Sequence, residues 1–209
     1  MIGEFEGETP IEGLVSHPFE IEINVLVTVN HKLTIAAIGQ LEQDGIAEAR
    51  ENFEDRDLVD SLIREHEVFC DDLRKAANHL AAVGLVTRFQ HCIEALVKKP
   101  CVDKPAKTPR LSKLCSDLEK LNASLGDGPV PVDFFDQLVT ARDSIIHADS
   151  KTTWEHRGTR REIASCYRNF AGEHGELEMT EAHLSEAVEK AIAQVKWYTA
   201  KLPATDSAT

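Results

Sequence analysis

The sequence predicts an all-α fold. Apolar residues recur at three- and four-residue spacing over long stretches, and Gly and Pro are sparse, with 11 and 8 among 209 residues. The turn signals every 8–12 residues that an all-β sandwich needs are missing. A typical domain of roughly 150 residues makes one compact unit the natural reading. Hydrophobic residues at 42% and charged residues at 28% are the make-up of a folded chain rather than a disordered one.

Taken in order, residues 1–15 are acidic and read as a flexible lead-in, and 16–203 read as a single helical domain with a short tail at 204–209. Phe19, Ile21, Ile23, Val25, Val27 and Val29 alternate as a strand would. The run continues through Leu33, Ile35, Ala36, Ile38 and Leu41, too far for an ordinary strand. With Pro18 near a start and Gly45 near an end, it predicts a buried helix over 19–43, and a strand over 19–29 is the alternative. Asp55 or Asp57 can cap the next helix, whose stripe of Leu62, Phe69, Leu73, Ala76, Leu80 and Val83 marks one apolar face. Helical character continues through Phe89, Ile93, Leu96 and Val97 to Pro100. Some 40 residues at 1.5 Å each make roughly 60 Å, which predicts a bend near Gly84.

Residues 98–113 form a Pro-containing basic linker with Lys98, Lys99, Lys104, Lys107, Arg110 and Lys113. A short helix over 111–125 stops at Gly126-Asp127-Gly128-Pro129. Asp133 can cap the helix carrying Phe134, Phe135, Leu138, Val139, Ile145 and Ile146. A second basic stretch holds Lys151, Arg157, Arg160, Arg161 and Arg168. The last helix has Thr180 as N-cap, Met179 and Leu184 as a hydrophobic staple, and a stripe from Leu184 through Tyr198 to Leu202.

Charge and cysteines narrow the function. A net charge of −13 disfavours a plain DNA-binding module, while leaving room for RNA held in a local basic cleft. Five widely spread cysteines without a Cys-x-x-Cys pair read as reduced thiols of a cytoplasmic protein. The acidic N-terminus does not read as a signal peptide, and no run of 18 uninterrupted apolar residues predicts a membrane span. His66 with Cys70, and His91 with Cys92, lack further ligands at zinc-like spacing, and no phosphate-cradling Gly loop or Gly-x-Ser-x-Gly is present. Neither a metal nor a cofactor is expected.

One segment stands out. In residues 137–149, Arg142 is followed by Asp143 and Ser144, then by the apolar Ile145 and Ile146, then by His147 near a predicted helix end. A second Arg and His at the same spacing, Arg74 and His79, sit within a long helix and are expected on its solvated side. Residues 137–149 resemble the signature of the HEPN (higher eukaryotes and prokaryotes nucleotide-binding) ribonucleases, an Arg, a polar residue, a short apolar stretch and a His at the end of a helix. The likeness is architectural over 20–202 and specific in about ten residues. It implies an HEPN-like bundle, an up-and-down four-helix core with extra helices, acting as a metal-independent endoribonuclease.

In such an enzyme His147 would take a proton from a ribose 2′-OH and Arg142 would neutralise phosphorane charge. Five helical steps of about 100° put Arg142 and His147 roughly 140° apart, so the helix must end near His147 or the site must be shared by two chains. Asp143, four residues before His147, shares its face and can orient the imidazole. The resemblance implies a homodimer with a composite site, the partner's His147 protonating the leaving oxygen. It also implies a tRNA or mRNA substrate, contacts from Lys98, Lys99, Lys104, Lys107, Arg110, Arg157, Arg160 and Arg161, and an antitoxin or defence-complex partner. Asp149 replaces the Tyr that marks members paired with a nucleotidyltransferase antitoxin. The alternative is a non-catalytic helical dimer serving as scaffold or regulatory subunit, with Arg142–Asp143 an ordinary surface ion pair.

Overall fold

The computed structural model describes residues 12–99, 102, 112–169 and 175–202, with side chains from Pro18 onward except Leu26. Six helices dominate: α1 (Glu12–Ile23), α2 (Asn30–Asn52), α3 (Arg56–Val97), α4 (Lys113–Leu125), α5 (Val132–His147) and α6 (Glu181–Lys201). Among the described residues, four short strands lie between α5 and α6: β1 (Thr153–His156), β2 (Thr159–Glu162), β3 (Arg168–Asn169) and β4 (Glu176–Leu177).

The segment predicted as a helix over 19–43 is helical and far longer. A π-helical stretch, Asn24–Val29, joins α1 to α2, so the helix neither begins at Pro18 nor ends at Gly45. The strand alternative is ruled out, and the alternation has a helical cause. Residues two apart on a helix point about 200° apart, so the series splits into opposed stripes. Phe19, Ile23 and Val27 are buried, while Ile21, Val25 and Val29 face outward. The expectation of a buried helix therefore holds for one stripe only.

Asp55 caps α3, its carboxylate accepting from the Asp57 and Leu58 amides at 3.0 and 3.3 Å. The helix runs uninterrupted through Gly84, where the sequence suggested a bend. Its predicted apolar face is not the core face. Phe69 and Leu80 are exposed, whereas Ala82, Leu85, Val86, Phe89, Ile93 and Leu96 are buried. Phe89 lies nine residues, two and a half turns, beyond Leu80 and so points the opposite way. Before Cys70, α3 has no buried residue, and this half pairs with α2 as a projecting hairpin.

The C-terminal half of α3 packs with α1, α4, α5 and α6. Phe89 stacks on Phe135 of α5 at 4.6 Å and meets Phe19 of α1 at 6.1 Å. Lys196 pairs with Glu20 at 2.7 Å, tying α6 to α1. Ser112 caps α4 through the Cys115 amide. Pro131 rather than Asp133 precedes α5, leaving Asp133 in its first turn, where a carboxylate complements the helix dipole. Thr180 caps α6 in a capping box with His183, and Met179 and Leu184 are both buried as a staple requires. The lead-in extends less far than expected, since residues 12–15 are already helical. Residues 1–11 and the tail at 204–209 lie outside the described residues.

The basic stretch after α5, in which no strand was expected, contains an antiparallel hairpin. Its register pairs Trp154 with Arg161 and Glu155 with Arg160. Arg157 and Gly158 form the two-residue turn with φ of 50° and 74°, which matches the right-handed twist of the strands. By length and composition, Pro18–Asn52 and Arg56–Val97 are each apolar enough to cross a membrane, with windows of mean hydropathy 1.3.

Candidate functional site at the end of helix α5

Helix α5 ends at His147, so Arg142 and His147 are both helical and the roughly 140° between them remains. The stop is built from Ser144. Its carbonyl accepts from the Ala148 and Ser150 amides at 3.0 and 3.1 Å, and its buried hydroxyl donates to the Lys151 carbonyl at 2.8 Å. Asp149 and Ser150 turn the chain with φ of 49° and 60°. An Asp tolerates that left-handed conformation better than most residues do. His147 is left exposed at the helix terminus, while the preceding Ile145 packs on the core and Ile146 is half-exposed.

The hairpin closes over this end. Side chains two apart on a strand share a face, so Trp154 and His156 lie on the same face of β1. The imidazole of His156 stacks on that of His147, with centroids 5.0 Å apart and planes at 29°. Across from Trp154, Arg161 is buried and hydrogen-bonds Asp143 Oδ2. Arg142 Nε lies 2.9 Å from Asp143 Oδ1, close enough for an ion pair but poorly aligned for a hydrogen bond. Asp143 thus bridges two guanidiniums and locks the hairpin to α5. Its expected role beside His147 is not the one seen, because both oxygens face arginines and His147 instead meets His156.

The expected RNA contacts divide. Arg157 and Arg160 are exposed on the hairpin, near the motif, whereas Arg161 is buried in its ion pair and cannot reach a phosphate without leaving it. Lys98 and Lys99 follow α3, about 28 Å along the helix from His79, whose neighbour Ser150 marks the end of α5. They belong to the opposite end of the bundle. Lys104, Lys107 and Arg110 lie outside the described residues.

The second Arg/His pair is not solvated as expected. Arg74 pairs with Glu42 and with Asp71, and His79 is buried, its Nδ1 3.3 Å from Ser150 Oγ. Burial, reinforced by Lys75, holds the His79 imidazole below its ordinary value. His66 and Cys70 do meet, Nε2 to Sγ at 3.8 Å, yet no group of three potential ligands converges among the described residues.

His156 is the residue that sequence reasoning missed. The available signal was local: Trp154 and His156 alternate before Arg157-Gly158, a pair suited to a tight hairpin turn. Comparison with protein-family models, curated proteins and solved structures finds no match.

Proposed function

We propose that the chain is an HEPN-type endoribonuclease whose active end is the C-terminus of α5. The observation that carries this reading is the exposed His147 stacked on His156, beside an arginine-rich hairpin. One neutral imidazole would accept the 2′-OH proton as O2′ attacks phosphorus. The other, protonated, would deliver a proton to the departing 5′ oxygen, giving a 2′,3′-cyclic phosphate and a 5′-hydroxyl. Histidine suits both roles because its ordinary pKa lies near neutrality. Arg142 would bear on phosphorane charge, with Arg157 and Arg160 holding flanking phosphates.

The second imidazole has two sources. His156 supplies it within one chain. A homodimer through the half-exposed Ile146 would instead bring two copies of His147 together. A specific observation favours a non-catalytic alternative, in which Arg142–Asp143–Arg161 is purely a structural clamp: Asp143 already occupies both arginines.

The test is cleavage of single-stranded RNA in EDTA, with product ends identified by mass. His147→Ala should lose about 10²–10⁴-fold in rate. His156→Ala should match that loss if one chain suffices, and should spare activity if the partner's His147 is used. His79→Gln should cleave normally. No cleavage by the wild-type chain on tRNA or mRNA would leave the clamp reading standing.

A further inference from the structure

We propose that the outer face of the α2–α3 hairpin is a docking site for an amphipathic helix of a partner protein, apolar at heptad spacing and basic along its flanks. Leu62, Phe69, Leu73, Ala76, Leu80 and Val83 advance by seven, four, three, four and three, the pattern of a coiled-coil seam. The fold covers it only in part: Leu62, Leu73 and Val83 are half-buried, whereas Phe69, Ala76 and Leu80 are exposed. Phe69 is 53% and Leu80 73% exposed, on the side of α3 turned away from the core. A 3.5-residue repeat presented to solvent is complementary to another helix, whose knobs follow the same repeat.

The seam borders a cleft. Asn30, His31 and Thr34 of α2, with Ala77, Leu80, Ala81 and Gly84 of α3, line an open cleft of about 190 Å³. No atom lies within 4 Å of where a Cβ on Gly84 would stand, so the floor is open to an incoming side chain. Leu41, two helical turns beyond Thr34 on the same face of α2, is exposed and continues the apolar surface.

Charge selects the occupant. Residues 42–75 carry twelve acidic side chains, four arginines and one lysine, a net of −7 out of the chain's −13. Glu65 and Asp72, seven residues apart and both exposed, line one rim of the seam. A second copy would set this acidic surface against its like, and an anionic lipid surface would be repelled, whereas lysines or arginines flanking a partner's seam would be paired. Leu80 stands about 100° around α3 from His79, which meets Ser150, and it faces away from the core that α5 joins, so the proposal does not rest on the nuclease reading.

The experiment titrates the full chain into a labelled synthetic three-heptad peptide, with Leu at the seam positions and Lys on both flanks, followed by fluorescence anisotropy. Saturable micromolar binding is expected, weakening with salt and falling at least tenfold in Leu80→Glu and Phe69→Glu. Both sites are exposed, and circular dichroism checks that each variant folds. A scrambled peptide of the same composition should also bind at least tenfold more weakly. Equal binding of the scrambled peptide, no binding, or indifference to both substitutions overturns the proposal. So does a light-scattering dimer that Leu80→Glu splits, which gives the face to a second copy. Association with phosphatidylcholine or phosphatidylserine vesicles that Leu80→Glu abolishes gives it to lipid and overturns the proposal equally.

Discussion

Replacing Asp143 by Ala should be among the most damaging single changes in the molecule, for electrostatic rather than packing reasons. The Asp143 side chain is 13% exposed and those of Arg161 and Arg142 are 8% and 22% exposed, so the carboxylate neutralises two guanidiniums with little access to water. Removing one member of a buried ion pair costs about 3–5 kcal/mol, mostly through the charge left behind. Arg142 can turn toward solvent, which relieves part of that cost, and about 3 kcal/mol is expected. At roughly 2–4 °C per kcal/mol for a chain of this size, the melting temperature should fall by about 6–12 °C. Urea unfolding at pH 7, followed by circular dichroism, measures the cost directly. The double variant with Arg161→Met isolates the coupling, and once Arg161 has lost its charge the loss of Asp143 should cost about 1 kcal/mol or less. A cost below about 1 kcal/mol for Asp143→Ala alone, or no coupling in the cycle, would refute the clamp.

Three further outcomes follow from the geometry. Burial holds the His79 imidazole below its ordinary 6.5, so the unfolded chain takes up the proton first. Stability should therefore be full above pH 6.5 and decline as the pH drops below it, and His79→Gln should flatten that part of a urea-midpoint profile. Thr180→Ala removes the hydroxyl that accepts from the His183 amide and should cost about 1 kcal/mol in the same unfolding assay. Gly158→Ala meets open space but keeps φ at +74°, so a loss of about 1 kcal/mol from backbone strain alone is expected, with Gly158→Asn milder.

The helical class was legible because periodicity and capping are local. Asp55 and Thr180 each stand one residue before a helix and accept from its first amides. Long α3 was legible in extent but not in orientation. It carries two apolar stripes, and the more regular one, through Phe69 and Leu80, is the one turned away from the core. The end of α5 at His147 could be expected from residue types, whereas the partner of Asp143 could not. That choice depends on Arg161 arriving from a strand eighteen residues later, a non-local pairing that no helical spacing encodes. His156 was hidden for the same reason, since its contact exists only once the hairpin folds back.

The projecting hairpin also governs how the molecule moves through solution. A compact chain of 209 residues has a radius of gyration of about 17 Å. A 42-residue helix is about 63 Å long, and a uniform rod of that length has about 18 Å by itself. The monomer should therefore scatter as an elongated particle and elute early from a sizing column, with an apparent mass well above 23.2 kDa. Elution volume alone would mimic a dimer. Only a shape-independent mass, from light scattering or sedimentation equilibrium, separates one copy from two.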